Sequence, residues 1–176
     1  MKLKLDLHTH CLEATRFARP SIEVVEKIVS EVRAKGLDGI GVTDHYDLEY
    51  AYQVMEIVKN HFDSSILIIP GQEVDRVYQH VIELYPRNDI VFRFVAHPGY
   101  PSYRWPDHLD GIQGVEIENG NWGVSQTLVR QVAEERGLLM LSNSDAHTLQ
   151  NIGRYYNEID LDEIISRAEK VKGPPP

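Results

Sequence analysis

Short apolar runs alternate with amphipathic segments along nearly the whole chain, and this alternation limits the fold more than any other feature. Leu3 to Leu7, Gly39 to Thr43, Ser65 to Ile69, Ile90 to Ala96, Gly114 to Ile117 and Leu138 to Ser142 read as strands. Val77 to Tyr85 reads as a further strand, paired with the extended Glu73-Val74. Ser21 to Lys35 reads as a helix with Val24, Val25, Ile28, Val29 and Val32 on one face, started by Pro20 and Ser21 and stopped by Gly36. Leu48 to Phe62, Gln126 to Arg136 and Leu161 to Val171 are the other expected helices, the last with Asp160 at its N-cap and Glu163 three residues on. Strands alternating with helices imply a parallel α/β sheet with helices outside. At 176 residues the chain is one compact domain. It is short of the roughly 250 residues of a complete eightfold barrel, so an incomplete barrel is expected. The end, Gly173-Pro174-Pro175-Pro176, suits neither helix nor central strand. It is expected to be a disordered tail beyond a domain spanning 1–172.

Composition narrows the function classes. The chain carries 18 Lys and Arg against 27 Asp and Glu, a net charge of −9, which argues against long nucleic acid as a partner. A small phosphorylated molecule stays open, because bound metal ions reverse the local sign. The single cysteine, Cys11, excludes an intrachain disulfide and fits a reducing, cytoplasmic setting. Apolar runs such as Ile66 to Ile69 are too short to cross a bilayer, and Met1 to Asp6 lacks a signal-peptide core, so no membrane partner is expected. A homo-oligomer is compatible with base rates alone.

Polar, ligand-type residues stand directly after each strand. His8-Thr9-His10, Asp44-His45, Gly71-Gln72-Glu73, His97-Pro98-Gly99, Glu118-Asn119 and Asn143-Ser144-Asp145-Ala146-His147 occupy successive strand ends, and His80 lies in the extended pair. Strand ends of one polarity meet on one face of such folds, so six of the eight histidines and several carboxylates should converge there. A His-x-His pair on an extended segment points both imidazoles to one side. Each piece alone reads as a surface loop or a hydrogen-bonded core histidine; the coincidence of all of them is what points to metal. Imidazole with carboxylate and no thiolate suits Zn, Mn or Fe(II). There are more ligands than one four-coordinate ion takes, so two or three divalent ions with a bridging carboxylate are expected.

The set Asp6-Leu7-His8-Thr9-His10, Thr43-Asp44-His45, Gly71-x-Glu73 with His80, Ala96-His97-Pro98 and Ser144-Asp145-Ala146-His147 resembles the four motifs of the polymerase and histidinol phosphatase (PHP) family. The resemblance implies a distorted (β/α)7 TIM-like barrel. It also implies that His8 and His10 hold a first metal with Glu73 and Asp145. Glu73 would bridge to a second metal held by His80 and His97. His45 and His147 would hold a third. Asp44 would act behind the ligands. The chain departs from the family where many members carry a further third-site ligand, having Thr15 and Arg16 there; Glu13 is the nearby replacement. No insertion is large enough for an accessory domain, so the site should be open or covered by short loops.

The activity implied is a metal-dependent phosphoesterase acting on a small phosphorylated molecule through a metal-bound hydroxide. Arg154, Arg104, Arg16 and Arg19 are the candidates for binding the phosphate, because an arginine fork fits phosphate oxygens. The aromatic and proline-rich segment Gly99 to Pro106 and Trp122 read either as rings beside the site or as packing. His61 and His108 match no motif, and Cys11 reads as a bystander. Three alternatives stay open: a nuclease or nucleotide phosphodiesterase on the same site, a non-catalytic component of an RNA-processing complex, and hydrolysis of a carbon–nitrogen bond. The last is disfavoured because no lysine stands at a matching strand end to bridge metals.

Overall fold

The computed structural model describes residues 1–62, 66–76, 79–99 and 109–171. Its strands are β1 (Lys2–Thr9), β2 (Gly39–Val42), β3 (Leu67–Arg76), β4 (Gln79–Arg87), β5 (Ile90–Val95), β6 (Gly114–Asn119), β7 (Leu139–Asn143), β8 (Asn157–Asp160) and the two-residue β9 (Glu169–Lys170). They form one sheet in the order β7-β6-β5-β4-β3-β2-β1-β8, with β9 on β5, curled into a nearly closed barrel. The helices are α1 (Cys11–Ala14), α2 (Ile22–Ala34), α3 (Leu48–His61), α4 (Gln126–Arg136) and α5 (Leu161–Arg167). No helix among the described residues is long and apolar enough to cross a membrane. The barrel-like α/β fold is the one the sequence implied.

The sheet is not wholly parallel, as the alternation had suggested. β1-β2-β3 and β5-β6-β7 pair parallel, whereas β3-β4-β5 is an antiparallel meander and β8 runs against β1. The reason lies in chain length: a parallel crossover needs a dozen residues or more, and only two separate β3 from β4 and β4 from β5. Helix α5 stops at Arg167, short of the expected Val171, because Ala168 turns extended and the next two residues join β5. The expected tail, 173–176, lies outside the described residues.

Two layers of apolar packing arise from the period-two alternation of the strands. Leu5, Leu7, Ile69, Ile82, Leu84, Phe92, Phe94 and Leu141 fill the barrel interior, all at most 1% exposed. Outside it, α2 and α3 press Val25, Ile28, Val29, Val32, Ala51 and Val54 against Ile40, Val42 and Ile68. On the far side α4 places Val129 and Ala133 on Val115 and Ile117. The interior is narrow at β2: a Cβ on Gly41 would lie 2.7 Å from the Leu7 carbonyl oxygen and 3.0 Å from the Leu84 side chain. A side chain there would push the strands apart.

The last gap, between β1 and β7, is closed in two ways. At the histidine end the main chain pairs directly: the Asp145 amide donates to the His8 carbonyl and the His10 amide to the Ala146 carbonyl, each at 2.9 Å. At the other end β8 is wedged in, and the Asn157 side chain does the joining. It accepts from the Ser142 amide (2.8 Å) and donates to the carbonyls of Leu5 (3.1 Å) and Ser142 (3.0 Å) and to Asn143 Oδ1 (2.9 Å). Asn157→Ala leaves a half-buried amide and carbonyls unanswered. It is expected to lower stability by about 1–3 kcal/mol, read from the midpoint of urea denaturation. An unchanged midpoint would show that water replaces the amide without loss.

Candidate metal centre

The ends of β1, β2, β3, β5 and β7, with the start of β4, bring His8, His10, His45, Glu73, His97, Asp145, His147 and His80 together. His8 and His10 are two residues apart on one extended run, so both face inward. Their Nε2 atoms are 3.1 Å apart, and neither residue is exposed. Glu73 follows Ile69 and Gly71 by steps of two, which puts its carboxylate on the inner side of β3. One oxygen, Oε2, lies 3.4 Å from His8 Nε2, 3.2 Å from His10 Nε2 and 3.5 Å from His45 Nδ1. The other, Oε1, lies 2.8 Å from His80 Nδ1 and 3.2 Å from His97 Nε2. Glu73 therefore spans two groups of histidines. Asp145 Oδ1 sits 3.3 Å from His8 Nε2 and 3.1 Å from His10 Nε2. On the outer side, the ligand atoms of His10, Glu13, His45 and His147 all lie within 4.8 Å of one another. Glu13 comes to this group from the short α1, which begins directly after His10.

Two residues that supply these atoms hold strained backbone. His97 has φ 27° and Asp145 φ 52°, the left-handed region that non-glycine residues seldom adopt. Such strain collects at functional sites, where the surrounding structure imposes it.

The electrostatics call for a cation. Burial disfavours the charged imidazole of His8, yet the carboxylates of Asp145, Glu116 and Glu73 outweigh it and hold the pKa well above the usual value. His10 is likewise penalised by burial but raised to about 9 by its hydrogen bonds to Asp145 and Glu73. Burial would push the Glu73 and Asp145 carboxyls up; the neighbouring histidines overcome it and hold both well below the usual carboxylate range. Divalent ions held by the same atoms would supply the positive charge that these carboxylates favour. Asp145 Oδ2 is buried and accepts no hydrogen bond from the described residues, a further sign that the donor set fits a metal.

A cavity of about 390 Å³ opens onto this cluster, lined by His45, Glu73, His80, His97, Asn121, Trp122, Asp145 and His147.

Comparison with known proteins agrees with the motifs. Residues 125–170 match a family model described as PHP-associated. That match spans 46 of the 176 residues, among them Asp145 and His147. PsfC from Pseudomonas syringae PB-5123 shares its fold, with 16% identity over 97% of this chain and 91% of that one, at a TM-score of 0.68. So does a protein of Bifidobacterium adolescentis provisionally named a metal-dependent phosphoesterase, with 13% identity over 93% and 96% of the two chains, at a TM-score of 0.72. No curated protein matches the sequence.

The phosphate-binding arginines expected from sequence are scattered. Arg19 lines a different cavity of about 390 Å³, with Leu12, Pro20, Asp47, Glu49, Tyr50 and Gln53. Arg16 is exposed at φ 59° after α1 and does not line the histidine cavity. Arg154 holds a loop beside the site, donating from Nη1 to the Gly120 carbonyl at 3.0 Å. Arg104, His108 and most of the aromatic segment from Gly99 lie outside the described residues. Asp44 caps the start of α1 by accepting from the Leu12 amide at 2.8 Å, and burial raises its pKa to about 7. Glu118, expected at a strand end, lies within β6 and bonds to Ser142 and Gln126 instead.

The carboxylate that matters on β6 is Glu116, which the sequence pattern did not single out. It is fully buried and accepts four hydrogen bonds: from His8 Nδ1 (2.9 Å), the His97 amide (2.7 Å), Asn119 Nδ2 (2.9 Å) and Asn143 Nδ2 (2.9 Å). By accepting from Nδ1 it fixes the His8 tautomer and leaves Nε2 facing the cluster. A readable signal existed: a carboxylate between Val115 and Ile117 in a buried strand needs partners.

Proposed function

We propose that the chain is a metal-dependent phosphoesterase that hydrolyses a small phosphorylated molecule at a site of two or three divalent ions. The observation that carries this reading is the position of Glu73, whose two oxygens face two separate sets of histidines. His8, His10, Asp145 and Glu73 would hold one ion, and Glu73, His80 and His97 a second. His45, His147, His10 and Glu13 would hold a third, with Glu13 in the place of the ligand lost at Thr15 and Arg16. When bound, such ions supply an activated water and bind the non-bridging phosphate oxygens. The chain's own part is to fix the ligands. Glu116 orients His8 and the His97 backbone. Asp6, buried, accepts from the Ser144 amide and hydroxyl and the Gly153 amide, anchoring the segment that carries Asp145 and His147. Asn121 Nδ2 reaches both the Asp145 carbonyl and His147 Nδ1.

The cavity suits a small ester rather than a polymer, and the charge of −9 opposes long nucleic acid. Protein purified without chelator is expected to contain two or three equivalents of Zn, Mn or Fe by elemental analysis. It should cleave an aryl phosphate and a mononucleotide in preference to an oligonucleotide. Protein with no bound metal and no activity after Mn or Zn is added would sink the proposal. Faster cleavage of the oligonucleotide would replace it with a nuclease.

A further inference from the structure

Two histidines of the cluster have a partner on the nitrogen that faces away from it. Glu116 lies 2.9 Å from His8 Nδ1, and the Asp145 carbonyl lies 2.9 Å from His147 Nδ1. His80 has the same arrangement with its nitrogens exchanged. Its Nδ1 is 2.8 Å from Glu73 Oε1, and its Nε2 is 3.0 Å from Oδ1 of Asp75, a carboxylate outside the cluster.

Strand register brings Asp75 there. β3 and β4 are antiparallel, with Asp75 directly opposite His80 and Glu73 opposite Ile82. Steps of two along each strand put Glu73, Asp75 and His80 on one side of the sheet. The main chain of Asp75 is held from a third direction. Its amide donates to the Tyr46 hydroxyl at 2.8 Å, and the Tyr46 amide donates to the Glu73 carbonyl at 3.1 Å. His80 also has more need of a partner than its neighbours. Its side chain is 19% exposed, against at most 2% for those of His8, His10, Glu73, His97 and Asp145. Packing therefore restrains this ring least, and a half-turn about χ2 would put a carbon where Nδ1 stands.

We infer that Asp75 is the positioning residue for the second ion: by accepting from His80 Nε2–H it fixes the tautomer and ring orientation that leave Nδ1 for the ion shared with Glu73 and His97. The inference rests on the metal-centre reading above. It adds a residue that holds one ion of the set and leaves the others alone.

The test uses the full chain and reads metal rather than activity. Metal-free protein is titrated with zinc against a chromophoric chelator. In Asp75→Ala one equivalent is expected to bind about 10-fold or more weakly, with the other equivalents unchanged. Asp75→Asn, whose carbonyl oxygen still accepts but carries no charge, should fall between Asp75→Ala and the wild type. Asp75 is 63% exposed and its main chain lies in the ladder, so circular dichroism should be that of the wild type. A second arm needs the wild type alone. In the two-bond 1H–15N spectrum of the zinc-loaded chain, the ring assigned to His80 by its loss in His80→Gln should carry its proton on Nε2. A proton on Nδ1, unchanged zinc affinity in Asp75→Ala, or equal weakening of every equivalent overturns the inference. A wild type that takes up no zinc overturns the metal centre and the inference with it. The expected pattern of zinc binding in a chain that hydrolyses no phosphate ester would leave Asp75 in this role and overturn the phosphoesterase reading instead.

Discussion

Asp145→Ala is expected to reduce hydrolysis of an aryl phosphate by at least about 100-fold, since even the loss of a partner behind a metal ligand costs about 10–100-fold. His8→Ala should match it. Both side chains aim at the point where His8 Nε2, His10 Nε2 and Asp145 Oδ1 come within 3.3 Å of one another. Neither is expected to unfold the chain. The main chain at Asp145 is held independently by its amide bond to the His8 carbonyl and by the anchoring of Ser144 on Asp6. Circular dichroism should therefore be that of the wild type, with the metal content reduced by one equivalent. Full activity in either variant would show that the residue it replaces is not needed to hold an ion.

Glu116→Gln is expected to weaken metal binding by about 10–100-fold, measured by competition with a chromophoric chelator. The amide keeps the size of the carboxylate but turns one acceptor into a donor, facing either His8 and Asn143 or His97 and Asn119. It also removes the negative charge that would make His8 a better ligand. Stability should fall too, by about 1–3 kcal/mol for each buried donor left unanswered. Wild-type metal affinity in this variant would show that His8 needs no fixed partner.

The cluster of histidines and carboxylates was legible in the sequence because strand ends of one polarity meet on one face, whatever the details between them. His8, Glu73 and Asp145 could thus be grouped without a structure. So could the strands and helices with strong period-two or period-3.6 patterns, such as Ile90–Val95 and Gln126–Arg136. β8 escaped because Asn-Glu-Ile-Asp carries almost no apolar signal: its place comes from pairing with β1 and from one asparagine side chain. Arg19 stands elsewhere for a related reason. A place on an expected rim loop says nothing about direction, and beyond the turn through Arg16 and Phe17, both at φ 59°, Arg19 lines another cavity. Glu116 was hidden because the polar residues that end a strand carry the pattern, whereas this one sits in the middle of β6, flanked by Val115 and Ile117.

The two different closures of the β1–β7 gap make the ring uneven. Where the histidines sit, main-chain bonds join His8 and His10 to Asp145 and Ala146, so the spacing between these side chains is set by backbone rather than by rotamers. Where β8 is wedged in, an amide side chain is the fastener. The rim that would grip the ions is therefore closed by main chain, whereas at the far end β8 is laddered to β1 and meets β7 through one side chain.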